Sequence, residues 1–504
     1  MQDDYIKKIL CARVYDLAVE TPVSEAPKLS RHMGNKISLK REDLQPVFSF
    51  KIRGAYNCMR QLNQKQRDAG VVAASAGNHA QGVALSARHL GIRAVIVMPL
   101  TTPDIKVDSV REKGGEVVLF GDTFDEACSH AYHLQQEKSM TFIHPYDDPN
   151  VIAGQGTVGV ELMKQLKEVP DVVFIPVGGG GLAAGMSVYI KYVSPQTKVV
   201  AVEPEDAACL KAALDADKRV KLDEVGIFAD GVAVGEIGEE TFKLCREYID
   251  EVVTVSTDEI CAGVKDVFEA TRVIAEPAGA LALAGLKSYV RKHKISGQNL
   301  AAVVSGANTS FGRLRHISER TELGSEKEAL FAVTIQETPG SFLKFCKSLG
   351  NASITEFNYR FSGRKKAHIF VGVELSDGEP SRKGILKSFA QSGIEVVDLT
   401  HDEMAKLHVR YMVGGHGNDV EDEYLYRVQF PEKPGALLKF LSALESDWNI
   451  SLFHYRNHAA AYGRVLMGIQ VPENERNQLE SRLNTIEYPW CAEGENPAYK
   501  IFLS

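Results

Sequence analysis

Short apolar runs alternate with helix-prone segments from about residue 70 to residue 308, and this alternation leaves few folds open to the chain. Each run is rich in β-branched residues, lacks polar alternation and ends in a turn that contains Gly or Pro. Such runs are typical of strands buried on both faces of a parallel sheet, and the intervening helices indicate α/β layering. The predicted strands span residues 71–74, 94–99, 116–120, 172–177, 199–202 and 300–304. Because ligands bind at the carboxyl ends of such strands, we expect the functional residues in the loops that follow them.

The last third of the chain contains an internal repeat. Residues 331–361 and 426–457 share a Pro-Gly pair followed by Leu-Lys-Phe, and both end in an aromatic-x-Tyr-Arg pattern. The Pro-Gly pairs are Pro339-Gly340 and Pro434-Gly435, and the equivalent tyrosines are Tyr359 and Tyr455. Each copy continues as strand, helix and strand, which predicts two ferredoxin-like βαββαβ units.

The stretch at 313–328 is charged and helix-prone, and we interpret it as a connector between these two parts. The predicted organisation is an α/β region of two lobes at 1–312, the connector at 313–328, a first ferredoxin-like unit at 329–401, an inter-repeat segment at 402–423 and a second unit at 424–504.

Composition excludes several classes of function. The net charge of −8 and the pI near 6.0 provide no basic field for nucleic acid or anionic lipid. The eight cysteines include no CxxC pair, which disfavours a zinc site and fits a reducing compartment. No apolar run reaches the roughly 18 residues of a membrane helix, and the first residues do not resemble a secretory signal. We expect a cytoplasmic protein that binds neither nucleic acid nor membrane. We assign no metal ligands, and the sequence leaves open whether a cation is bound.

Lys51 lies in the motif SFKIRG at 49–54, between Phe50 and Ile52. A lone lysine is usually a solvated surface residue. The alternative is a Schiff-base lysine, whose amine is partly desolvated and therefore nucleophilic near neutral pH. The motif by itself leaves both interpretations open.

The loop SAGNHAQG at 75–82 directly follows the first predicted strand and opens a helix. Backbone N–H groups at such a junction favour an anion such as a carboxylate. An ordinary strand-to-helix turn capped by Ser or Asn explains the same residues equally well.

A run of four glycines between a strand and a helix, at Gly178, Gly179, Gly180 and Gly181 before Leu182, indicates a phosphate cradle. A merely flexible loop is the simpler alternative. The run also satisfies the dinucleotide pattern, from Gly178 through Gly180 to Ala183, with Glu203 at the end of the next strand. That alternative predicts a nicotinamide-dependent dehydrogenase but gives no role to Lys51 or Ser305.

The fourth motif, SGAN at 305–308, follows the last predicted strand of this region. Ser305 there either hydrogen-bonds a ring nitrogen of a cofactor or simply caps a turn, and for a lone serine the turn is the commoner case.

Taken together and in this order, the motifs SFKIRG, SAGNHAQG, VGGGGLAAG and SGAN resemble the pyridoxal-phosphate enzymes of fold type II, the tryptophan-synthase-β-like fold. The chain resembles most the biosynthetic threonine dehydratase family, including its two C-terminal ACT-like regulatory domains. The resemblance covers nearly the whole chain. It implies an α/β fold type II catalytic domain, followed by two ferredoxin-like ACT-like domains.

The resemblance also implies the role of each motif residue. Lys51 would carry the cofactor and later move the substrate Cα proton. The other cofactor-binding residues would be Phe50, Asn78, Gly178, Gly179, Gly180, Gly181, Leu182 and Ser305. Ser75, Gly77 and His79 would line the site of the substrate carboxylate.

The family implies β-elimination of water from L-threonine to give 2-oxobutanoate and ammonia, the first committed step of isoleucine biosynthesis. It further implies L-serine as a secondary substrate, a homotetramer, inhibition by isoleucine and a counteracting effect of valine. We nominate Tyr359 and Tyr455 as effector-proximal residues, with ordinary strand aromatics as the alternative. A non-catalytic amino-acid sensor on an inactive scaffold is a further hypothesis.

Overall fold

The computed structural model describes residues 2–336, 338, 341–349, 352–360, 366–407, 409–411, 420, 422–431, 436–444, 448–456, 462–486 and 488–496. The chain forms two compact units, Met1–Gly324 and Ser325–Ser504. The Pro-Gly pairs at 339–340 and 434–435, on which the repeat was recognised, lie outside the described residues.

The first unit is an alternation of strands and helices. Its strands are β1 (Val23–Glu25), β2 (Lys36–Arg41), β3 (Val71–Ala74), β4 (Ala94–Met98), β5 (Glu116–Leu119), β6 (Thr141–Phe142), β7 (Val172–Pro176), β8 (Lys198–Pro204), β9 (Glu251–Val255) and β10 (Asn299–Val304). Its helices are α1 (Gln2–Leu10), α2 (Pro27–Met33), α3 (Lys51–Arg60), α4 (Gln64–Ala69), α5 (Asn78–Leu90), α6 (Asp104–Glu112), α7 (Phe124–Lys138), α8 (Pro149–Gln165), α9 (Gly181–Val193), α10 (Cys209–Asp215), α11 (Glu239–Tyr248), α12 (Thr257–Thr271), α13 (Pro277–His293) and α14 (Arg313–Gly324).

These strands form two sheets. One sheet has the order β1-β2-β10-β7-β8-β9, and the other has the order β5-β4-β3-β6. Every pairing is parallel except that of β1 with β2. All residues of β3, β4 and β7 are buried, as expected for apolar strands covered by helices on both faces. The sheet architecture confirms the predicted α/β class.

The charged stretch predicted as a connector is mostly a helix of the first unit. Helix α14 packs against α12, with Ile317 and Leu323 buried. Arg320 and Asp258 form an ion pair between the two helices. The sequence predicts a charged, helix-prone connector. In the structure, an apolar stripe on this helix attaches it to the first unit, which ends at Gly324.

The second unit repeats one strand–helix order. Its strands are β11 (Glu328–Gln336), β12 (Ile354–Arg360), β13 (Lys366–Glu374), β14 (Glu395–Asp398), β15 (Glu423–Pro431), β16 (Asn449–Arg456), β17 (Tyr462–Gln470) and β18 (Trp490–Ala492). Its helices are α15 (Ser341–Ser348), α16 (Gly378–Gln391), α17 (Glu403–Leu407), α18 (Ala436–Leu444) and α19 (Arg476–Thr485). The βαββαβ order predicted for each copy is confirmed.

The two copies share one antiparallel sheet, with the strand order β14-β11-β13-β12-β16-β17-β15-β18. They join where β12 pairs with β16, and there Phe357 lies opposite Tyr455 while Tyr359 lies opposite Phe453. This reciprocal pairing relates the copies by an approximate two-fold axis. The sequence predicts two separate domains for the two copies. In the structure, the edge strand of each copy pairs with the edge strand of the other, and the two copies share a single core.

No helix in the part of the chain described above is long and apolar enough to cross a membrane.

Candidate active site

Lys51 begins helix α3, directly after Phe50. Its Nζ donates to the carbonyl oxygen of Pro145 at 3.0 Å and lies 5.3 Å from the centroid of the Phe50 ring. Removal from water lowers the pKa of this amine to about 8, although the carboxyl group of Glu276 opposes the shift. A large fraction of the amine is therefore neutral at pH 8, as a nucleophile or base requires. The environment of Lys51 therefore favours the interpretation of this residue as a reactive lysine over that of a solvated surface lysine.

Helix α5 begins at Asn78, at the carboxyl end of strand β3. The side chain of Asn78 donates from Nδ2 to Glu276 Oε1 at 2.6 Å, and its Oδ1 accepts from Asn308 Nδ2 at 2.6 Å. Ser75 turns the chain into the helix, because its Oγ accepts from the N–H of Gly77 at 3.2 Å. A Cβ placed on Gly77 would meet no atom within 4 Å, so there is open space at this helix start.

His79 lies at the same helix start, but its ring faces the protein interior. The side chain is buried, and Nε2 lies 2.8 Å from the carbonyl oxygen of Ile143. Burial, together with the charge of Lys51, lowers the pKa of His79 to about 3, so the ring is neutral. What His79 offers at the helix start is its backbone N–H, one of the donors that a helix leaves without an intrahelical acceptor.

The glycine run links strand β7 to helix α9. A Cβ on Gly179 would lie 2.2 Å from the ring of Tyr146, so only glycine fits there. Gly180 has a φ of +91°, which also favours glycine. Helix α9 then begins at Gly181, with Leu182 buried in the core behind it. The N–H groups at the start of α9 have no acceptor within the helix, and they lie at the positive end of the helix dipole. Both features favour the binding of a phosphate group.

Glu203 is not placed to bind a ribose. Its side chain is fully buried, Oε1 accepts from the N–H of Leu210 at 2.8 Å, and Oε2 accepts from the N–H of Lys211 at 2.9 Å. The carboxylate therefore holds the start of α10. This removes the residue that made the dinucleotide alternative attractive.

Ser305 follows strand β10 and is buried, with its Oγ donating to the carbonyl oxygen of Ala278 at 3.2 Å. Its own carbonyl oxygen accepts from the N–H of Phe50 at 3.2 Å, and Ser49 forms a β-bridge with Gly306. The last motif is thus tied directly to the lysine loop, and Asn308 ties it to Asn78 as well.

Three residues of this site were missed by sequence reasoning: Glu276, Asn308 and Tyr146. Asn308 lies within a recognised motif, so its position was a usable signal. Glu276 immediately precedes Pro277 at the start of α13, where an acidic residue normally suggests only a helix cap. Tyr146 had no local signal, because its importance comes from contact with a distant glycine.

The residues present fit pyridoxal phosphate. Lys51 supplies an amine for the aldehyde, the glycine run supplies backbone donors for the phosphate, and Ser305 supplies a neutral hydroxyl for the ring nitrogen. In addition, the Ser49 Oγ beside the lysine is buried and has no hydrogen-bond partner among the residues that the structure describes, as expected for a group that lies next to a ligand. No group of three or more His, Cys, Asp or Glu residues able to hold a metal ion occurs among the described residues.

The second unit contains a cavity, partly open to solvent, where its two copies meet. Apolar walls come from both copies and include Tyr359, Leu441, Leu444, Trp448 and Ile450. Thr338 and Ser341 line it near the start of α15. The structure places Tyr359 in this cavity. Tyr455 is buried in the shared core at the equivalent position and is not among the lining residues.

Comparison with known proteins agrees with this site. Residues 14–306 match the family described as pyridoxal-phosphate dependent enzyme. Residues 319–409 and 415–503 match the family described as the C-terminal regulatory domain of threonine dehydratase. The fold and the site thus define a pyridoxal-phosphate-dependent enzyme of fold type II with a C-terminal regulatory region.

Individual relatives indicate which family of pyridoxal-phosphate-dependent enzymes the chain belongs to. The chain is 56% identical over 501 residues to the biosynthetic L-threonine dehydratase of Escherichia coli (strain K12), covering 99% of this chain and 97% of that protein. It is 48% identical over 502 residues to the chloroplastic biosynthetic threonine dehydratase of Arabidopsis thaliana, covering 99% and 84%. The solved structure of processed threonine deaminase isoform 2 from Solanum lycopersicum is 50% identical, with a TM-score of 0.62 over 63% of this chain and 93% of that chain. The chain belongs to the biosynthetic threonine dehydratase family.

Proposed function

We propose that this enzyme eliminates water from L-threonine, and that the resulting enamine tautomerises to an imine, which takes up water and releases ammonia to give 2-oxobutanoate. This reaction would be the first committed step of isoleucine biosynthesis, in the cytoplasm. The names of its relatives support the substrate. The observation that carries the chemistry is the Lys51 amine, whose pKa is lowered to about 8 at the meeting point of the four motifs. L-serine, which has the same leaving group on a smaller side chain, is proposed as a secondary substrate.

The geometry supports a set of residues as those that would hold the cofactor. Lys51 would bind the aldehyde covalently beside Phe50, and Asn78 would donate to the phenolic oxygen. Ser305 would meet the ring nitrogen, and the phosphate would lie on the N–H groups of the run Gly178, Gly179, Gly180, Gly181 and Leu182. Pyridoxal phosphate, when bound, supplies a sink for the electron pair left at the substrate Cα.

The chain's own residues bind and deprotonate the substrate. The start of α5 would hold the carboxylate through the hydroxyl of Ser75 and the N–H groups of Gly77 and His79. The amine of Lys51 would take the Cα proton of the substrate. Ser305 is uncharged, so it would not hold the ring nitrogen of the cofactor protonated as a carboxylate would, and this would favour loss of the β-hydroxyl.

Turnover of L-threonine, followed as formation of 2-oxo acid, tests the proposal. The unchanged protein is expected to be yellow, to be bleached by borohydride and to release 2-oxobutanoate without nicotinamide. Lys51→Ala is expected to be colourless and inactive. Lys191→Ala serves as a control, because this lysine lies in the last turn of α9, away from the glycine-rich start of that helix, and pairs with Asp250. A colourless unchanged protein, or an active Lys51→Ala variant, would refute the assignment.

We also propose that the cavity of the second unit binds isoleucine, and that valine competes there. Its walls are mainly apolar, which suits a branched aliphatic side chain. The N–H groups at the start of the eight-residue helix α15, beside Thr338 and Ser341, suit the carboxylate. Tyr359 lines the cavity, whereas Tyr455 would act through the equivalent position of the other copy.

Tryptophan fluorescence provides a direct test of this cavity. The chain has two tryptophans, and only Trp448 lines the cavity. In the variant Trp490→Phe, isoleucine is expected to change the emission of the remaining Trp448, and valine is expected to reverse that change. Trp448→Phe is the matched control and is expected to respond little. A response carried by Trp490 instead would place the effector elsewhere. Sedimentation of the full chain tests the homotetramer that the family implies.

A further inference from the structure

A buried carboxyl group, Glu276, lies beside Asn78 and outside all four motifs. It precedes Pro277 at the start of α13, yet its side chain makes no hydrogen bond to the N–H groups of its own helix. Its Oε1 accepts instead from Asn78 Nδ2 at 2.6 Å, a contact between residues 198 positions apart. The carboxyl group is 4% exposed. It is therefore committed to Asn78 rather than to capping.

Contacts on both sides fix the orientation of the Asn78 amide. Its nitrogen donates to Glu276, and its oxygen accepts from Asn308 Nδ2 at 2.6 Å. A flipped amide would place oxygen against a carboxylate and nitrogen against another NH₂ group, so both contacts would become unfavourable. The second N–H of Asn78 is consequently held as a donor at a defined place.

The neighbouring backbone leaves Glu276 little freedom. A Cβ on Gly306 would lie 2.4 Å from Glu276 Oε1, so the glycine backbone is packed directly against the carboxyl group. The N–H of Glu276 donates to the carbonyl oxygen of Gly306 at 3.2 Å. The carboxyl group is thus fixed relative to Ser305, the residue before Gly306.

Charged and hydrogen-bonding groups on other segments act on this carboxyl group. Burial and the charge of Asp230 raise the pKa of Glu276 to about 7, while the hydrogen bond from Asn78, the charge of Lys106 and the backbone of Asn308 oppose the rise. Glu276 in turn favours the charged form of Lys51. Its charge therefore changes close to neutral pH, within reach of the cofactor-binding lysine.

We propose that Glu276 is a positioning residue for pyridoxal phosphate: it fixes the Asn78 amide as a donor to the phenolic oxygen of the cofactor and couples the charge of that oxygen to its own ionisation. The inference rests on the proposed role of Asn78. A flipped amide would present an acceptor to the same oxygen. Glu276 removes that alternative before the cofactor arrives.

Two variants separate orientation from charge. Glu276→Gln keeps an oxygen that accepts from Asn78 but has no charge, whereas Glu276→Ala lacks both. We expect Glu276→Ala to weaken cofactor binding about tenfold or more, and Glu276→Gln by no more than about threefold. The absorbance of the bound cofactor, measured without substrate, is expected to titrate near neutral pH in the unchanged holoenzyme and to lose that titration in both variants.

Control variants distinguish a wrong role for Glu276 from a wrong role for Asn78. Glu203→Gln removes another buried carboxyl group whose pKa burial raises to about 7, but one whose hydrogen bonds go to the start of α10 and not to Asn78, so the cofactor titration should persist. Asn78→Ala should lose it. If Asn78→Ala changes the spectrum but Glu276→Gln titrates like the unchanged protein, the role of Glu276 is overturned. If Asn78→Ala changes nothing, the proposed role of Asn78 itself fails. Equal cofactor affinity in Glu276→Ala and the unchanged chain overturns the orienting role.

Discussion

Replacement of Arg53 by Met tests the buried charge cluster that supports the lysine-bearing helix. Arg53 lies two residues after Lys51 and is fully buried. Its guanidinium donates to both oxygens of Glu42 at 2.7 and 2.8 Å, and to both oxygens of Glu161 at 2.5 and 3.0 Å. Lys40 also donates to Glu161, at 2.6 Å. Two cations and two carboxylates therefore balance each other away from water.

Arg53→Met keeps most of the apolar stem but leaves one uncompensated negative charge in this cluster. Removing one partner of a buried ion pair costs about 3–5 kcal/mol, and we expect the free energy of unfolding to fall by that amount near pH 8. The control is Arg93→Met. Arg93 also makes a two-point pair, with Glu116, but both side chains are about half exposed, so the loss should stay below about 1 kcal/mol.

The pH dependence follows from the carboxyl groups. In the native chain burial would raise the pKa of Glu161, but hydrogen bonds and charges from Arg53 and Lys40 hold it below its ordinary value. Its stabilising contribution is therefore present above the unfolded pKa and is lost as the pH falls through the folded one. Without Arg53, the effect of burial on Glu161 is no longer offset by this cation. The pKa of Glu161 in the folded chain then rises above its value in the unfolded chain. Protonation then neutralises the excess charge, so the defect of Arg53→Met should shrink towards about pH 5.

Urea unfolding of the full chain, followed by circular dichroism at about pH 8 and pH 5, measures both effects. Equal losses in Arg53→Met and Arg93→Met would refute the buried-pair reasoning. A loss in Arg53→Met that is the same at both pH values would refute the assignment of the cost to an uncompensated carboxylate.

Three further predictions concern the site and the domain boundary. Gly179→Ala should weaken cofactor binding about tenfold or more by spectroscopic titration, because its Cβ would lie 2.2 Å from the Tyr146 ring, while Gly312→Ala, with open space around it, should not. Ser305→Asp should change the ratio of 2-oxo acid to other products, and an unchanged ratio would contradict the role of a neutral hydroxyl. A chain ended after Gly324 should keep threonine turnover and lose the isoleucine response. A chain ended after Gly312 lacks α14, so α12 loses its contact with Ile317, and this chain should have a lower melting temperature than the chain ended after Gly324. Equal melting temperatures for the two chains would argue against that packing.

Local chemistry made much of the first unit predictable. Val71–Ala74 is a strand with the predicted bounds, since four apolar residues between turns suit a strand covered on both faces. Strand β2, Lys36–Arg41, was not predicted, because its charged residues Lys40 and Arg41 suggest a surface. The structure buries Lys40 against Glu161, which is distant in sequence, and Arg41 against Asp43, which follows the strand. No local sequence pattern reveals these contacts.

The sequence by itself determined the strand–helix alternation, the four motif loops and the repeat, because each depends on neighbouring residues and on the conformational limits of Gly and Pro. Only the tertiary structure decided that the strands divide between two sheets, that α14 belongs to the first unit and that the repeats share one sheet. It also decided that Glu276 meets Asn78 and that the His79 ring faces Ile143. These outcomes depend on packing and charge compensation between residues far apart in the chain, and their free energy exists only once the segments have come together.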